Sequence, residues 1–197
     1  DSNGRSGTKK HGLSEMMNRA FLNRITRVAP DDSSSRPPTF FDLEPLPPAQ
    51  PKPGAALATP YGISISDDDS ILVVTAAGSD KLITMDADSG AVLGRVDVDA
   101  VPRGIALISD KQGRADSAWV LNAVENSVSL VNVSNPANPE VVSTIALEDP
   151  THPVVKRGRK AFETAAASTT GTFACASCHP DGHTDQLLWV LETPIVT

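Results

Sequence analysis

Between Pro60 and Leu147 the apolar residues come in short runs, and Asp, Ser, Asn or Gly separates each run from the next. The first half reads "GISI", "ILVVT", "KLITM" and "AVLGRV"; the second reads "GIALI", "AWVL", "SVSLVNV" and "VVSTIAL". Short β-branched runs bounded by turn residues predict strands. Pro-x-Gly-Ile leads both halves, at Pro60 and Pro102, so the offset is 42 residues. A period near 40 residues with four strands per unit is the signature of a β-propeller blade.

This pattern resembles the YVTN-type bacterial propeller repeat over roughly residues 60–147. Two blades do not close a ring, since propellers use about four to eight, and an open stack leaves edges and apolar faces bare. The expectation is that further blades lie outside this chain or that a partner covers the two units. The start "DSNGRSGTKK" points the same way: a leader already removed, or a piece of something longer. "SDDDS" (66–70) and "DADSG" (86–90) lack the glutamate and spacing of a calcium hand. They read as inter-strand turns.

Upstream the periodicity changes. In "LSEMMNRAFLNRITRV" (13–28), Leu13, Met16, Met17, Ala20, Phe21, Ile25 and Val28 recur at helical spacing. That predicts an amphipathic helix capped by Ser14 and stopped by Pro30, with Arg19, Arg24 and Arg27 on a solvated basic face. Nine of the sixteen prolines fall within residues 30–60. Proline lacks the N–H donor and clashes with a preceding helical turn, so 31–59 reads as an extended linker or strap, anchored by Phe40, Phe41 and Leu43.

Composition narrows the partners. The 197 residues are 40% hydrophobic and carry a net charge of −7, which argues against a nucleic-acid partner. The excess is local: residues 1–30 hold six Lys/Arg against two acids, and residues 61–155 five against fourteen. No apolar run approaches the roughly 20 residues of a membrane span.

The candidate chemistry sits in "FACASCHPDGH" (173–183), which holds both cysteines and two of the four histidines. Three readings compete. Cys-x-x-Cys-His is the attachment signal of c-type haem: two thiols one turn apart add across the vinyl groups, and the next histidine faces the iron. A zinc site would use Cys175, Cys178, His179 and His183, but ligands at adjacent positions 178 and 179 strain that geometry. A thioredoxin-like pair needs a βαβ surround and gives His179 no role.

"KRGRKAF…GTFACASCHPDGHTDQLLWVLETP" resembles the haem-binding segment of bacterial di-haem cytochrome c peroxidase-like (MauG-related) proteins, some of which join a YVTN propeller to the cytochrome part. The resemblance implies that Cys175 and Cys178 are thioether anchors and His179 the proximal iron ligand. It also pairs Gly158 with Phe162 in a helix packing near the haem. Those proteins carry two Cys-x-x-Cys-His sites; this chain has one.

The sixth iron ligand is unassigned. The eighteen residues after His179 contain no methionine, and the chain to His183 spans at most about 14 Å, so His183 suits a hydrogen bond to a propionate or the backbone. His11, Met16, Met17, Met85 and His152 are the other candidates. Arg157, Arg159 and Lys160 form a basic cluster, either solvated or paired with haem propionates.

The sequence therefore predicts a mixed, mainly β fold: an N-terminal helix region (1–30), a Pro-rich linker (31–59), two propeller-type blades (60–149) and a small α-helical cytochrome c segment (150–197). The expected function is electron transfer by one covalent haem c within a larger multi-haem assembly. The alternatives are part of a di-haem peroxidase-type oxidoreductase, or a zinc-stabilised propeller scaffold for protein binding. Expected partners are a redox protein and other chains of a redox complex or the remainder of the protein. The expected location is periplasmic or extracellular.

Overall fold

The computed structural model describes Met17, residues 19–29 and residues 37–186. Its body is two four-stranded antiparallel meanders. The first contains β3 (Pro60–Ile65), β4 (Ile71–Ala76), β5 (Lys81–Asp86) and β6 (Val92–Asp97); the second contains β7 (Pro102–Ser109), β8 (Ala115–Asn122), β9 (Ser127–Asn132) and β10 (Glu140–Ala146). All eight strands fall on the runs read from the repeat, so the fold is mainly β with propeller-like blades.

The two sheets stack through one apolar seam. Ile71, Val73, Leu82 and Val96 of the first blade meet Ile105, Leu107, Ala118, Val120 and Val131 of the second. These residues alternate with those of the opposite face, as a period of two dictates. The leading strands β3 and β7 are neighbours across the stack. A Cβ on Gly62 would lie 2.2 Å from the Arg103 carbonyl oxygen, so only glycine fits that crossing.

Turns between strands are closed by their own acids. Asp68 Oδ1 accepts from Ser70 N at 3.1 Å and from the Ser66 and Ser70 hydroxyls at 2.6 and 2.7 Å. Asp86 Oδ1 accepts from Ser89 N at 2.8 Å and Ser89 Oγ at 2.6 Å. Both are Asx-type turns.

The N-terminal region departs from the predicted helix. Arg24–Arg27 is a strand, β1, paired antiparallel with β2 (Thr39–Asp42), Ile25 lying opposite Phe41. Residues 13–16 and 18 of the expected helix lie outside the described residues. The physical reason is tertiary: β1 gains a ladder with β2, and Phe41, Leu43 and Ile25 together cover the first blade over Leu57, Val74, Ile83 and Met85. Phe41 packs so closely that a Cβ on Gly90, itself at φ +71°, would lie 2.0 Å from its ring. Within residues 37–59, Phe41 and Leu43 are buried against the first blade and Phe40 is exposed; residues 31–36 of the expected linker lie outside the described residues.

Arg19 also corrects the expected solvated basic face. It is 1% exposed and pairs with Glu44 at 3.0 Å. Glu44 accepts in addition from Asn23 Nδ2 at 3.1 Å and Leu57 N at 2.8 Å, so the buried carboxylate is well satisfied. Asn23 Nδ2 also donates to the Thr172 carbonyl at 2.9 Å, tying this network to the C-terminal segment.

Candidate functional site

The C-terminal segment is held to the blades at several points. Helix α1 (Pro153–Glu163) opens with proline and is capped by His152, whose Nδ1 accepts from Val154 N at 3.3 Å. Lys156 fixes its first turns to the second blade through Glu125 at 2.8 Å and Asp149 at 3.2 Å. Ala165 and Ala174 pack with Ala58 at the entry to the first blade, and Phe173 lies 6.5 Å from Phe21, centroid to centroid.

The cysteines occupy a single helical turn, α2 (Cys175–Cys178). Ser177 Oγ accepts from Ala174 N at 3.0 Å and so organises the start of the turn. His179 N donates to the Cys175 carbonyl at 3.1 Å, closing it. Cys175 is exposed, Cys178 is half-buried, and no disulfide joins them. Burial, with the Asp185 carboxylate and Cys175 adding to it, pushes the Cys178 thiol up to about 11. It is therefore protonated at neutral pH, whereas redox-active thiols need surroundings that favour thiolate.

The imidazole of His179 is positioned from two sides. Its Nδ1 lies 2.9 Å from the His183 carbonyl oxygen. A carbonyl can only accept, so Nδ1 carries the proton and Nε2 keeps its lone pair. The Phe162 ring of α1 sits 6.3 Å from the imidazole, tilted by 41°. The short turn Pro180–Gly182 brings His183 back to this position, and its left-handed residues are Asp181 and Gly182.

This donor set fits a c-type haem. Two unbridged thiols stand one turn apart and the next residue offers a free Nε2, fixed through its other nitrogen as liganding histidines are. Val155, Gly158 and Phe162 share one face of α1 by their spacing, and Phe162 is the one shown beside the imidazole. Val155 is exposed, and a Cβ on Gly158 would meet nothing within 4 Å. Among the described residues, no three His, Cys, Asp or Glu side chains converge as a metal cluster.

The remaining candidates fall elsewhere. His183 contributes its backbone carbonyl while its side chain stays exposed. Met85 is fully buried in the core of the first blade. His152 is the cap of α1, and Met17, exposed, gives its carbonyl to Gln50 at 2.6 Å. His11 and Met16 lie outside the described residues. Arg157, Arg159 and Lys160 are all exposed.

No protein-family model matches the chain, and no curated protein matches it. Among solved structures it is similar to Kuenenia stuttgartiensis hydrazine synthase, at 27% identity over 49% of this chain and 24% of that one, with a TM-score of 0.39. BamB from Moraxella catarrhalis is 23% identical over 46% and 25% of the two chains, with a TM-score of 0.33. The periplasmic gluconolactonase PpgL of Pseudomonas aeruginosa is 20% identical over 58% and 31%, with a TM-score of 0.41. The chain thus spans about a quarter to a third of the length of these structures. Scores this low carry no argument about a site; the blades rest on their own strand order.

Sequence reasoning missed one residue at this site. Arg103, at the variable position of the second Pro-x-Gly-Ile, reaches Glu163 at 2.9 Å and Asp181 at 2.8 Å and stacks on Tyr61, 4.7 Å from its ring centroid. Tyr61 fills the same position of the first repeat. The available signal was that difference: a tyrosine and an arginine at equivalent places on neighbouring strands.

Proposed function

We propose that the chain carries one covalent haem c, anchored by Cys175 and Cys178 with His179 as the proximal ligand, and serves electron transfer within a larger multi-haem assembly. The observation that carries this reading is the His179 imidazole. It follows a single turn bearing two free thiols, and its Nδ1–H is committed to the His183 carbonyl, so Nε2 is presented as a donor. A bound haem supplies one-electron chemistry at a potential tuned by ligand, burial and hydrogen bonding. The chain's own part is to hold the imidazole in one tautomer, offer the thiols on one edge and set the Phe162 ring beside the imidazole.

The larger assembly is favoured by the second blade, whose outer apolar face is uncovered: Ile108, Leu121 and Ile145 are all exposed there. Another chain of a redox complex, or further blades of the same protein, would cover it. Among the described residues no helix is long and apolar enough to cross a membrane. Haem attachment to such motifs, as the family resemblance implies, belongs outside the bacterial cytoplasmic membrane, so we place the protein in the periplasm or outside the cell.

The test is direct. The full chain, produced with a haem-attachment system, is expected to give a pyridine haemochrome and a mass increment of one haem, both lost in C175A/C178A. A colourless protein that returns zinc on metal analysis overturns the haem reading in favour of the zinc-stabilised scaffold.

A further inference from the structure

Both supports of the His179 imidazole lead back to one guanidinium. Phe162, whose ring faces the imidazole at 6.3 Å, is followed by Glu163, which accepts from Arg103 Nη2 at 2.9 Å. His183, whose carbonyl accepts from His179 Nδ1, ends the turn containing Asp181, which accepts from Arg103 Nη1 at 2.8 Å. The guanidinium is itself well anchored. It stacks on Tyr61, and the Arg103 carbonyl accepts from Thr75 Oγ1 at 3.3 Å across the seam between the blades.

We propose that Arg103 is a positioning residue for His179, transmitting the rigid geometry of the blade seam to the imidazole through Glu163 on one side and Asp181 on the other. The inference deepens the haem reading and rests on it for its purpose. Arginine suits the role because its planar fork can serve two carboxylates at once, which a lysine ammonium does with less geometric definition. Asp181 also sits at φ +51°, a left-handed conformation that its charge-assisted bond to Arg103 helps to hold. Without the fork, α1 and the turn after His179 lose the ionic anchor they share, and the Nδ1–H bond to His183 loosens.

The experiment uses the full chain purified without haem, labelled with 15N-histidine, and reads the tautomer of His179 by NMR. The wild type is expected to show His179 as a single Nδ1–H tautomer. Arg103→Gln is expected to lose that single-tautomer signature, and Arg103→Lys to restore part of it. Asp181→Asn, which leaves Arg103 and its Glu163 pair in place, is expected to produce a partial loss and serves if Arg103→Gln does not fold. An unchanged His179 tautomer in Arg103→Gln, or in Asp181→Asn where only that variant folds, overturns the inference. A pyridine haemochrome on the wild type produced with a haem-attachment system decides the haem reading separately. A colourless wild type sinks that reading, while tautomer loss in the variants still supports Arg103 as the holder of the imidazole.

Discussion

The two blades come from one repeat but live in different surroundings. The first packs against the second blade on one face and is covered by the strap, with Phe41 and Leu43, over β4 and β5 on the other, where Ile63 and Ile65 of β3 stay exposed. The second is covered on one face; its outer face presents Ile108, Trp119, Leu121, Val128, Leu130 and Ile145 on adjacent strands. The glycines of the Pro-x-Gly-Ile motif record the difference. Gly62 is pressed by the Arg103 carbonyl, whereas a Cβ on Gly104 would meet nothing nearer than 3.4 Å. The same sequence device is under load in one blade and idle in the other, where the face beside Gly104 packs against no second sheet among the described residues.

The strongest way to break the comparison is to strip the cover from the first blade. Glu44 joins Arg19, Asn23 and Leu57 in one buried network that holds the strap down. Glu44→Ala takes the carboxylate from the buried Arg19 cation, which keeps its bonds to the Pro45 and Ala49 carbonyls, and removes the acceptor of Leu57 N; the expected loss is about 3–5 kcal/mol by precedent for broken buried pairs. Urea unfolding should show that loss, and proteolysis should cut first within residues 37–59. A variant of wild-type stability would mean that the strap is not what seals this face.

Next comes the pair Leu82→Ala and Leu121→Ala. Leu82 is fully buried in the seam, and its truncation should cost about 2–5 kcal/mol. Leu121 is 42% exposed on the bare face, so its truncation in the isolated chain should stay within about 0.5 kcal/mol. Equal effects in denaturant titrations would show that the outer face of the second blade is already covered in solution.

How far the sequence foretold this structure depends on how local each signal was. The eight strands were legible because period-two alternation and Asp/Ser/Asn/Gly turns are written within each run. The strand at Arg24–Arg27 was not, because the helical spacing around it competes with a strand partner at Thr39–Asp42 that no local window contains. Arg19 was misplaced for the same reason: its partner Glu44 is 25 residues away. At the site, Cys175, Cys178 and His179 announce themselves as a contiguous motif. Arg103 does not, since its carboxylate partners lie 60 and 78 residues downstream and only folding brings them together.

Gly62→Ala and Gly104→Ala sharpen the comparison with a smaller effect. A methyl at Gly62 must push back the Arg103 backbone or the β3 strand, costing about 1–3 kcal/mol as overpacking does. At Gly104 the methyl fits, and the reduced freedom of the unfolded chain should leave stability level or raise it by about 0.4–1 kcal/mol. Thermal melts should therefore fall for Gly62→Ala and hold or rise for Gly104→Ala. Matching losses would mean that the space beside Gly104 is filled.

The smallest expected effect is acid sensitivity of the turns. Hydrogen bonds from the Ser66 and Ser70 side chains hold the Asp68 carboxyl below its ordinary value of 3.8, and those from Ser89 do the same for Asp86. In the second blade Asp110 is lowered chiefly by Arg114. A carboxyl whose value is lower folded than unfolded contributes stability that is complete above the unfolded value. That contribution disappears as pH falls through the folded value. Stability should therefore be flat through neutral pH with respect to these groups and decline below about pH 4. Asp68→Asn and Asp86→Asn should each flatten part of that acid limb in the first blade, because a neutral amide has no proton to gain. Added salt separates the blades: it screens the Asp110–Arg114 pair, which is exposed, more than the serine hydroxyl bonds of the first. An acid limb as steep in Asp68→Asn as in the wild type, measured by unfolding between neutral pH and pH 3, would show that the turn bonds of Asp68 are not what ties folding to protonation there.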